Sequence, residues 1–294
     1  MLALAEALEQ LGKQSRQVIM SVFPPRYRFL DPRQLIGNFE PPGDSYRDSE
    51  VVIVLDTGTW EQLGSFGEFL RSLHVPKIVI DHHLTQNDLG AQRFVDQTAE
   101  ATGRLAYDAI RALGGRVTET MASAMFTALA MDTGWFRHSN SKPATYHLAA
   151  ELVGAGAKPD RLYDLLFEQN TPPRMKLMGL VLDRLELFEN GKIAVSEIRR
   201  DDYTATGATP QDTEDMINLL RGIIGVEVGL LFMEQPRGGI KVSFRSRERV
   251  DVSRLAQQFG GGGHRLASGA TVDASLVDAR ARVLDALKRA LVTG

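Results

Sequence analysis

VVIVLD (Val51–Asp56) and KIVID (Lys77–Asp81) are two apolar stretches that each end in an aspartate. Their β-branched residues run without alternation, which is typical of strands buried on both faces of a parallel sheet. The stretch Glu61–Leu73 between them has a helical pattern, and RFVD (Arg93–Asp96) indicates a third strand. This order of elements predicts an α/β fold, with helices on both faces of a parallel sheet.

The remainder of the chain predicts a second, smaller domain. From Thr102 to about Leu187 the pattern is mostly helical, and Asn190-Gly191 is a strong turn signal inside a hairpin-like stretch, Glu186–Ile198. We place the domain boundary there, with a first domain over residues 1–187 and an α+β domain over residues 188–294. Within the second domain, the glycine run Gly260–Gly263 is predicted to connect a helix to a strand.

Composition excludes several classes of protein. Cysteine is absent, so disulfide frameworks, thiolate zinc sites and cysteine nucleophiles are excluded. No apolar run approaches the ~18 residues of a membrane helix, and Glu6 and Glu9 interrupt the apolar pattern of the opening helix, which does not resemble a signal peptide. These features favour a cytoplasmic protein without a membrane partner. The net charge of −3 disfavours a protein that binds long duplex nucleic acid, although a local basic cleft for a short nucleotide is compatible with it.

Carboxylate and imidazole groups follow the predicted strands. Asp56 and Asp81 each end a strand, and the carboxyl ends of parallel strands meet at one edge of the sheet. His82 and His83 follow Asp81, and a second Asp-Thr-Gly triplet begins at Asp132. Taken singly these residues are commonplace, because an aspartate after a strand often starts a turn or caps a helix. Together they indicate a sulfur-free site for a divalent metal, suited to Mn²⁺ and tolerant of Mg²⁺.

The two triplets, Asp56-Thr57-Gly58 and Asp132-Thr133-Gly134, raise a different hypothesis. Aspartic proteases use two such turns, whose carboxylates share one proton. That fold is all-β, whereas Asp132 ends a helical stretch and Asp56 lies in a strand–helix alternation. The sequence therefore disfavours a protease.

A second group of residues has the chemistry of a phosphate-binding site. Arg245-Ser246-Arg247 ends a predicted strand, and Gly260–Gly263 precedes His264. Successive glycine N–H groups can form a concavity that binds anions, and arginine can donate two hydrogen bonds to a phosphate. A glycine run is also a common flexible linker, but its position inside a domain, ending at a histidine, favours the phosphate site.

Taken together, five motifs resemble the DHH phosphoesterases that carry the first type of DHH-associated domain. Within that family the resemblance is to bifunctional oligoribonucleases that also act as 3′-phosphoadenosine 5′-phosphate (PAP) phosphatases. The motifs occur in the family's order and span residues 51–270: VVIVLDTG, IVIDHH, MDTGWFRHSN, VSFRSR and FGGGGHRLASGA.

The resemblance implies a role for each matching residue. Asp56, His82 and Asp132 would bind metal. His83 would lie near the scissile phosphate, and Asp81 would orient the histidines. The terminal phosphate of the substrate would be held by residues of the second domain: Arg245, Ser246, Gly262, Gly263 and His264.

One family motif is absent. Members of the family begin with a strand that ends in His-x-x-Pro-Asp-Gly-Asp, which supplies further metal ligands, and this sequence contains no such motif. We expect a start codon assigned too late rather than a lost activity, because the other motifs are intact. The first domain is therefore expected to lack its first strand, and its three remaining ligands are expected to bind one metal ion.

The function implied by the resemblance is metal-dependent hydrolysis of very short oligoribonucleotides, of PAP, or of both. Cleavage of cyclic or linear dinucleotides is an alternative within the family, and a catalytically impaired nucleotide-binding protein is an alternative outside enzymes. The expected partners are a short RNA or nucleotide and Mn²⁺ or Mg²⁺, and a homodimer is compatible with the resemblance.

Overall fold

The computed structural model describes residues 1–236 and 238–293, which form two compact units, Met1–Gln169 and Asn170–Gly294. The helices and strands of the first unit are α1 (Leu2–Gln10), β1 (Gln17–Ile19), β2 (Ile36–Asn38), β3 (Val52–Leu55), α2 (Trp60–Ser72), β4 (Lys77–Asp81), β5 (Gln92–Val95), α3 (Thr102–Ala112), α4 (Glu119–Asp132), α5 (Pro143–Gly154) and α6 (Pro159–Phe167).

The first unit is an α/β structure. β3, β4 and β5 form a parallel sheet in that order, and β1 pairs with β2 in a separate parallel ladder. Alternate residues of the sheet face different cores: Val54 and Val79 pack with α2, whereas Ile80 packs with α1, α3 and α4. The prediction of a parallel sheet with helices on both faces is therefore confirmed, and the fold is not that of an all-β aspartic protease.

Side-chain caps define where two of these helices begin. Thr59 accepts a hydrogen bond from the Gln62 N–H at the start of α2, and Thr118 accepts one from the Met121 N–H at the start of α4. The cap holds α4 at this end, and most of the helix is buried. Together they fix where its last residue, Asp132, lies in the fold.

The second unit begins with a helix that the sequence placed in the first domain. Its helices and strands are α7 (Pro172–Asp183), β6 (Glu186–Phe188), β7 (Ile193–Ile198), α8 (Arg200–Thr206), α9 (Ile217–Arg221), β8 (Val228–Glu234), β9 (Ile240–Ser246), α10 (Val252–Gln257), β10 (Gly262–His264), β11 (Ala267–Val272) and α11 (Leu276–Thr293).

A mixed sheet in the order β10–β11–β9–β8–β7–β6 is the centre of this α+β unit. One face carries a core formed with α10 and α11, including Phe232, Val242 and Phe244. The other face carries a second core, formed with α7 and α9, that contains Leu231 and Met233. The predicted hairpin is present as the antiparallel pair β6–β7.

The position of α7 differs from the sequence-based domain boundary. Leu177 and Val181 of α7 are fully buried in the core that covers β7 and β8, and the Ser196 hydroxyl donates a hydrogen bond of 2.6 Å to the Val181 carbonyl. The predicted boundary between residues 187 and 188 falls inside β6. The helical pattern of α7 continues that of the helices before it, so periodicity alone did not show which core the helix joins.

The glycine run also differs from the prediction. Rather than a connection alone, it includes β10, which pairs antiparallel with β11. A Cβ on Gly261 would lie 2.2 Å from the Gly269 oxygen, and one on Gly263 would lie 2.7 Å from the Ala267 oxygen. Glycine is therefore needed here because the two backbones approach too closely for a side chain.

None of the helices within the described residues combines the length and the apolar character that crossing a membrane requires.

Candidate metal centre and phosphate-binding face

Asp56 is held at the carboxyl end of β3. Its N–H donates to the Ile80 carbonyl at 3.1 Å, and its φ of 64° is left-handed, a conformation that aspartate tolerates better than most residues. The Thr102 hydroxyl, at the start of α3, donates a 2.7 Å hydrogen bond to Asp56 Oδ1. Backbone conformation and hydrogen bonding thus orient this carboxylate.

His82 points its Nε2 at two carboxylates. Its Nδ1 lies 3.2 Å from the Ala99 carbonyl oxygen, which can only accept, so Nδ1 carries the ring proton in the neutral imidazole. This leaves the lone pair on Nε2, which lies 3.6 Å from Asp56 Oδ1 and 3.8 Å from Asp132 Oδ2. A histidine whose second nitrogen is bound to a backbone carbonyl is the usual arrangement of a metal ligand.

Asp132 comes to the same place from the end of α4. Partial removal from water, together with repulsion from the Asp56 carboxylate, raises the pKa of Asp132 to about 6, against the opposing effect of His82 and His83. The Asp56 and Asp132 carboxylates therefore repel one another at this place. A bound divalent cation would favour the ionised form of both.

Asp81 is fully buried and organises both histidines. Its carboxylate accepts hydrogen bonds from the His82 and His83 N–H groups, from His83 Nδ1 at 2.7 Å and from Gln86 Nε2 at 2.5 Å. Burial opposes ionisation of Asp81, but these hydrogen bonds outweigh it and its pKa is lowered. Burial likewise opposes a charge on His83, but its bond to Asp81 and the neighbouring carboxylates raise its pKa.

These groups fit a divalent metal ion. Among the described residues, Asp56, His82 and His83 each offer a ligand atom, and these atoms lie within 4.8 Å of one another. Carboxylate and imidazole without sulfur is a set that suits Mn²⁺ and accepts Mg²⁺. Asp132 is not part of that group of three, but its Oδ2 lies 3.8 Å from His82 Nε2. The predicted metal ligands, Asp56, His82 and Asp132, therefore lie close together, and Asp81 and His83 adjoin them.

In the second unit, Arg245 and His264 lie on the same face of the sheet. Residues directly opposite each other on neighbouring strands point to the same side. His264 on β10 is opposite Ala267 on β11, which is opposite Arg245 on β9, which is opposite Gly229 on β8. The residues between and beside the Arg245 and His264 side chains are therefore small.

The Arg245 guanidinium has no acidic partner within hydrogen-bonding distance among the described residues. Its Nη1 donates to the Phe244 carbonyl at 3.0 Å. Burial lowers the pKa of Arg245, with Asp215 opposing this effect and Arg221 adding to it. A partly buried arginine without a paired carboxylate is a suitable site for a ligand phosphate.

Ser246 and Gly263 lie on the opposite face from Arg245. Ser246 is fully buried, and its hydroxyl donates to Glu227 Oε1 at 3.0 Å, so the side chain does not reach the face that carries Arg245. Gly263 is opposite the buried Ser268. Gly262, by contrast, is exposed and opposite Gly269, with open space where a Cβ would lie. The predicted phosphate set is therefore divided between the two faces of the sheet.

Several groups that support these sites are not among the residues predicted from the sequence. The Ala99 carbonyl, the Thr102 hydroxyl and the Gln86 amide orient metal-site residues, and Glu227 accepts hydrogen bonds from the loop after β9. Thr102 directly follows a loop and so could have been suspected as a polar residue at a helix start. No sequence signal identifies a backbone carbonyl or Glu227.

Comparisons with known proteins show what the chain is similar to. A DHHA1 domain model matches residues 190–293. The chain is 32% identical over 296 residues to the bifunctional oligoribonuclease and PAP phosphatase NrnA of Thermus thermophilus, covering 99% of this chain and 85% of that protein. It is 28% identical over 228 residues to the protein of the same description from Bacillus subtilis, covering 76% and 71%.

A solved structure shows the same fold. The crystal structure of an exopolyphosphatase-related protein from Bacteroides fragilis superimposes with a TM-score of 0.90 at 22% identity, covering 99% of this chain and 86% of that one. The similarity to the Thermus protein extends over almost the whole chain, both units included. The chain therefore belongs to the DHH family of phosphoesterases that carry a DHHA1 domain, which are hydrolases of phosphoester bonds.

Proposed function

We propose that this protein is a metal-dependent phosphoesterase that hydrolyses very short oligoribonucleotides and PAP. The observation that carries the proposal is the convergence of the Asp56 and Asp132 carboxylates on Nε2 of His82. The Thermus and Bacillus relatives, both described as bifunctional oligoribonucleases and PAP phosphatases, support this choice of substrate class.

Asp56, His82 and Asp132 would hold the metal ion, with Mn²⁺ the preferred species and Mg²⁺ the substitute. When bound, such an ion supplies a Lewis acid for phosphoryl oxygens and lowers the pKa of a coordinated water. Thr102 and the Ala99 carbonyl would keep the first two side chains oriented for this task.

His83 is the proposed proton carrier. Its Nδ1 is hydrogen-bonded to the buried Asp81 carboxylate. When the ring binds a second proton, that proton is therefore on Nε2. The raised pKa of His83 favours this charged form, which can donate from Nε2 to an oxygen of the substrate. In the overall reaction the oxygen of water bonds to phosphorus, the bond from phosphorus to the leaving oxygen breaks, and that oxygen takes a proton.

The second unit would bind the terminal phosphate of the substrate. Arg245 and His264 are the proposed contacts, since they share one face and Arg245 has no carboxylate paired with it among the described residues. Gly262 would let the ligand approach the backbone of β10. Ser246 and Gly263 would support this site from the other face of the sheet, Ser246 through Glu227 and Gly263 by permitting the close approach to β11.

The test combines metal binding with hydrolysis. Mn²⁺ binding to the wild-type protein and to His82→Ala is measured by calorimetry, and release of phosphate from PAP and of mononucleotides from a ribotrinucleotide is followed by chromatography. We expect His82→Ala to lose Mn²⁺ binding and at least about a hundredfold in both activities. The matched control is His74→Ala, since His74 is an exposed histidine of the same unit.

Three results would contradict the proposal. The first is a wild-type protein that binds no Mn²⁺. The second is a protein that binds nucleotides but hydrolyses neither substrate, which would indicate a binding protein. The third is a preference for a cyclic or linear dinucleotide over both substrates in side-by-side assays, which would indicate a dinucleotide phosphodiesterase.

A further inference from the structure

One face of the sheet in the second unit is covered over half its width and open over the other half. On β7 and β8 this face carries buried residues, among them Ala194, Leu231 and Met233, which pack against α7 and α9. No described residue of β9, β11 or β10 belongs to that core. The same face continues onto three strands that add no residue to this apolar core, although α9 still lies beside Gly229, the residue opposite Arg245.

The residues on the open half are polar or small. On β9 they are Lys241, Ser243 and Arg245, which alternate with the buried Ile240, Val242 and Phe244. The residues opposite and beyond them on β11 and β10 are Thr271, Gly269, Ala267, Gly262 and His264. These eight positions (residues 241, 243, 245, 262, 264, 267, 269 and 271) form the open face, and its residues other than Lys241, Arg245, His264 and Thr271 are glycine, alanine and serine.

Basic residues lie at both ends of the open face. Arg245 and His264 lie at one end. Lys241 lies at the other, on a cavity of about 300 Å³ that is also lined by Gly260, Gly261 and Thr271. Lys241 is exposed, and among the described residues no acidic group pairs with it.

The distance between the cations decides what they can bind together. Lys241 and Arg245 are four residues apart on one strand, so their Cα atoms are roughly 14 Å apart at 3.4 Å per residue. Side chains on a strand stand roughly perpendicular to the sheet, and Ser243 lies between these two. Lys241 and Arg245 are therefore too far apart to bind the same phosphate, and each would contact a different part of a ligand. A ligand that contacts both must carry phosphates at separate points along an extended chain.

We propose that Lys241 is a specificity-determining residue that binds an internal phosphate of an oligoribonucleotide whose terminal phosphate is bound by Arg245 and His264. This inference rests on the function proposed above and adds to it a preference for oligonucleotides over the mononucleotide PAP. The glycines of the open face allow the ribose-phosphate chain to lie close to β11 and β10, where larger side chains would exclude it.

The test compares two substrates in the full-length protein. For Lys241→Gln we expect the ratio of kcat/KM for a ribotrinucleotide to kcat/KM for PAP to fall about tenfold, chiefly through KM for the trinucleotide, as expected for one lost phosphate contact. Lys241→Arg keeps the charge and is expected to restore most of the ratio. The matched control is Lys176→Gln, which removes the charge of an exposed lysine on α7 of the same unit.

A binding measurement separates charge from structure. With the metal chelated, the affinity for a labelled trinucleotide is measured by fluorescence anisotropy at several salt concentrations. Loss of one phosphate contact should reduce the slope of log K against log salt by about 0.7 in Lys241→Gln. Its thermal stability should match that of Lys176→Gln.

The outcomes separate this inference from the function on which it rests. If the wild-type protein hydrolyses neither substrate, the proposed function is wrong. If it hydrolyses both and Lys241→Gln changes neither the ratio nor the salt slope, the role of Lys241 is wrong. An equal loss on both substrates would also overturn it, because Lys241 would then contact a part that PAP shares.

Discussion

Glu227 is the residue that holds the loop after β9, and with it the end of the strand that carries Arg245. Its Oε1 accepts hydrogen bonds from the N–H groups of Glu248, Arg249 and Val250, and from the Ser246 hydroxyl. Burial opposes ionisation of this carboxyl, but the hydrogen bonds outweigh it and lower the pKa of Glu227. The Glu227 carboxylate thus accepts hydrogen bonds from N–H and O–H groups that would otherwise lack a partner.

We expect Glu227→Gln to destabilise the protein by about 1–2 kcal/mol at pH 7, since charge-assisted hydrogen bonds become neutral ones and the site is partly solvated. The folded-state pKa of Glu227 lies below its unfolded value of 4.5, so its contribution is complete above pH 4.5 and is lost as pH falls through the folded-state pKa. Urea unfolding at pH 7 and at pH 3.5 should therefore show a smaller difference between wild type and variant in acid.

The control is Glu248→Gln, since Glu248 belongs to the same loop and is exposed. It should leave the free energy of unfolding within about 0.5 kcal/mol of wild type at both pH values. An equal effect of both variants would show that the loop responds to net charge and not to the hydrogen bonds of Glu227.

Thr102 supports the proposed metal site through one hydroxyl, which donates a hydrogen bond to Asp56. Replacing it with valine keeps the shape of the side chain and removes the donor to Asp56 Oδ1. We expect Thr102→Val to weaken Mn²⁺ binding about tenfold, because groups that orient a metal ligand typically have effects of that size. Calorimetry with Mn²⁺ measures the change. In Thr127→Val, whose hydroxyl bonds only the Ser123 carbonyl within α4, Mn²⁺ affinity should be unchanged.

At the scale of secondary structure, the end of α4 is an unusual turn. Gly134, Trp135 and Phe136 all have left-handed φ angles, of 56°, 58° and 63°. Such angles are uncommon for bulky residues and are sustained here by packing, since Trp135 contacts Phe126, Tyr163 and Phe167. The turn reverses the chain directly after Asp132 and so helps to determine where that carboxylate lies.

We expect Gly134→Ala to destabilise the protein by at least about 1 kcal/mol and to lower Mn²⁺ affinity. Alanine is strained at this φ, and its Cβ would lie 2.3 Å from His138 Nε2. Thermal melting in a chelator measures the first effect. In the double variant Gly134→Ala with His138→Ala, the stability lost through the clash with His138 should be recovered. The stability lost through backbone strain at residue 134 should not be recovered.

Gly154→Ala is the matched control for this helix-end position. Gly154 ends α5, its φ is not positive, and no atom lies within 4 Å of the Cβ that alanine would add. This substitution should be neutral or slightly stabilising. If Gly134→Ala were equally neutral, the left-handed turn would not matter for stability.

At the scale of the whole molecule, the division into two units predicts how the chain can be cut. A fragment of residues 170–294 keeps α7, whose Leu177 and Val181 are fully buried in one of its two cores. We expect it to fold alone and to melt cooperatively. A fragment of residues 188–294 lacks both side chains and most of β6. The loss of several kcal/mol is comparable with the total stability of about 5–15 kcal/mol, so this fragment should be unfolded.

Circular dichroism melts and amide dispersion in NMR spectra check both fragments. Folding of the 188–294 fragment with a melting temperature near that of the longer one would show that α7 contributes little. Failure of the longer fragment to fold would show that its core depends on residues 1–169.

The local patterns of the chain were sufficient for much of the fold and for naming the residues that meet at the proposed metal site. Unbroken β-branched runs before Asp56 and Asp81 indicate strands buried on both sides, because only such strands lack a polar alternation. Strand ends in a parallel sheet share an edge, which brings these aspartates together with His82 and His83 whatever the details of packing. The Asn190-Gly191 turn is equally local.

Features that depend on contacts distant in sequence came from tertiary packing. The register of β9 against β8 and β11 turns Arg245 toward an open face and Ser246 toward a core, and a shift of one residue would exchange them. Tertiary packing also brings the Ala99 carbonyl next to His82 and determines which core α7 joins. Periodicity describes a segment on its own, whereas these positions follow from how separate segments fill space against each other.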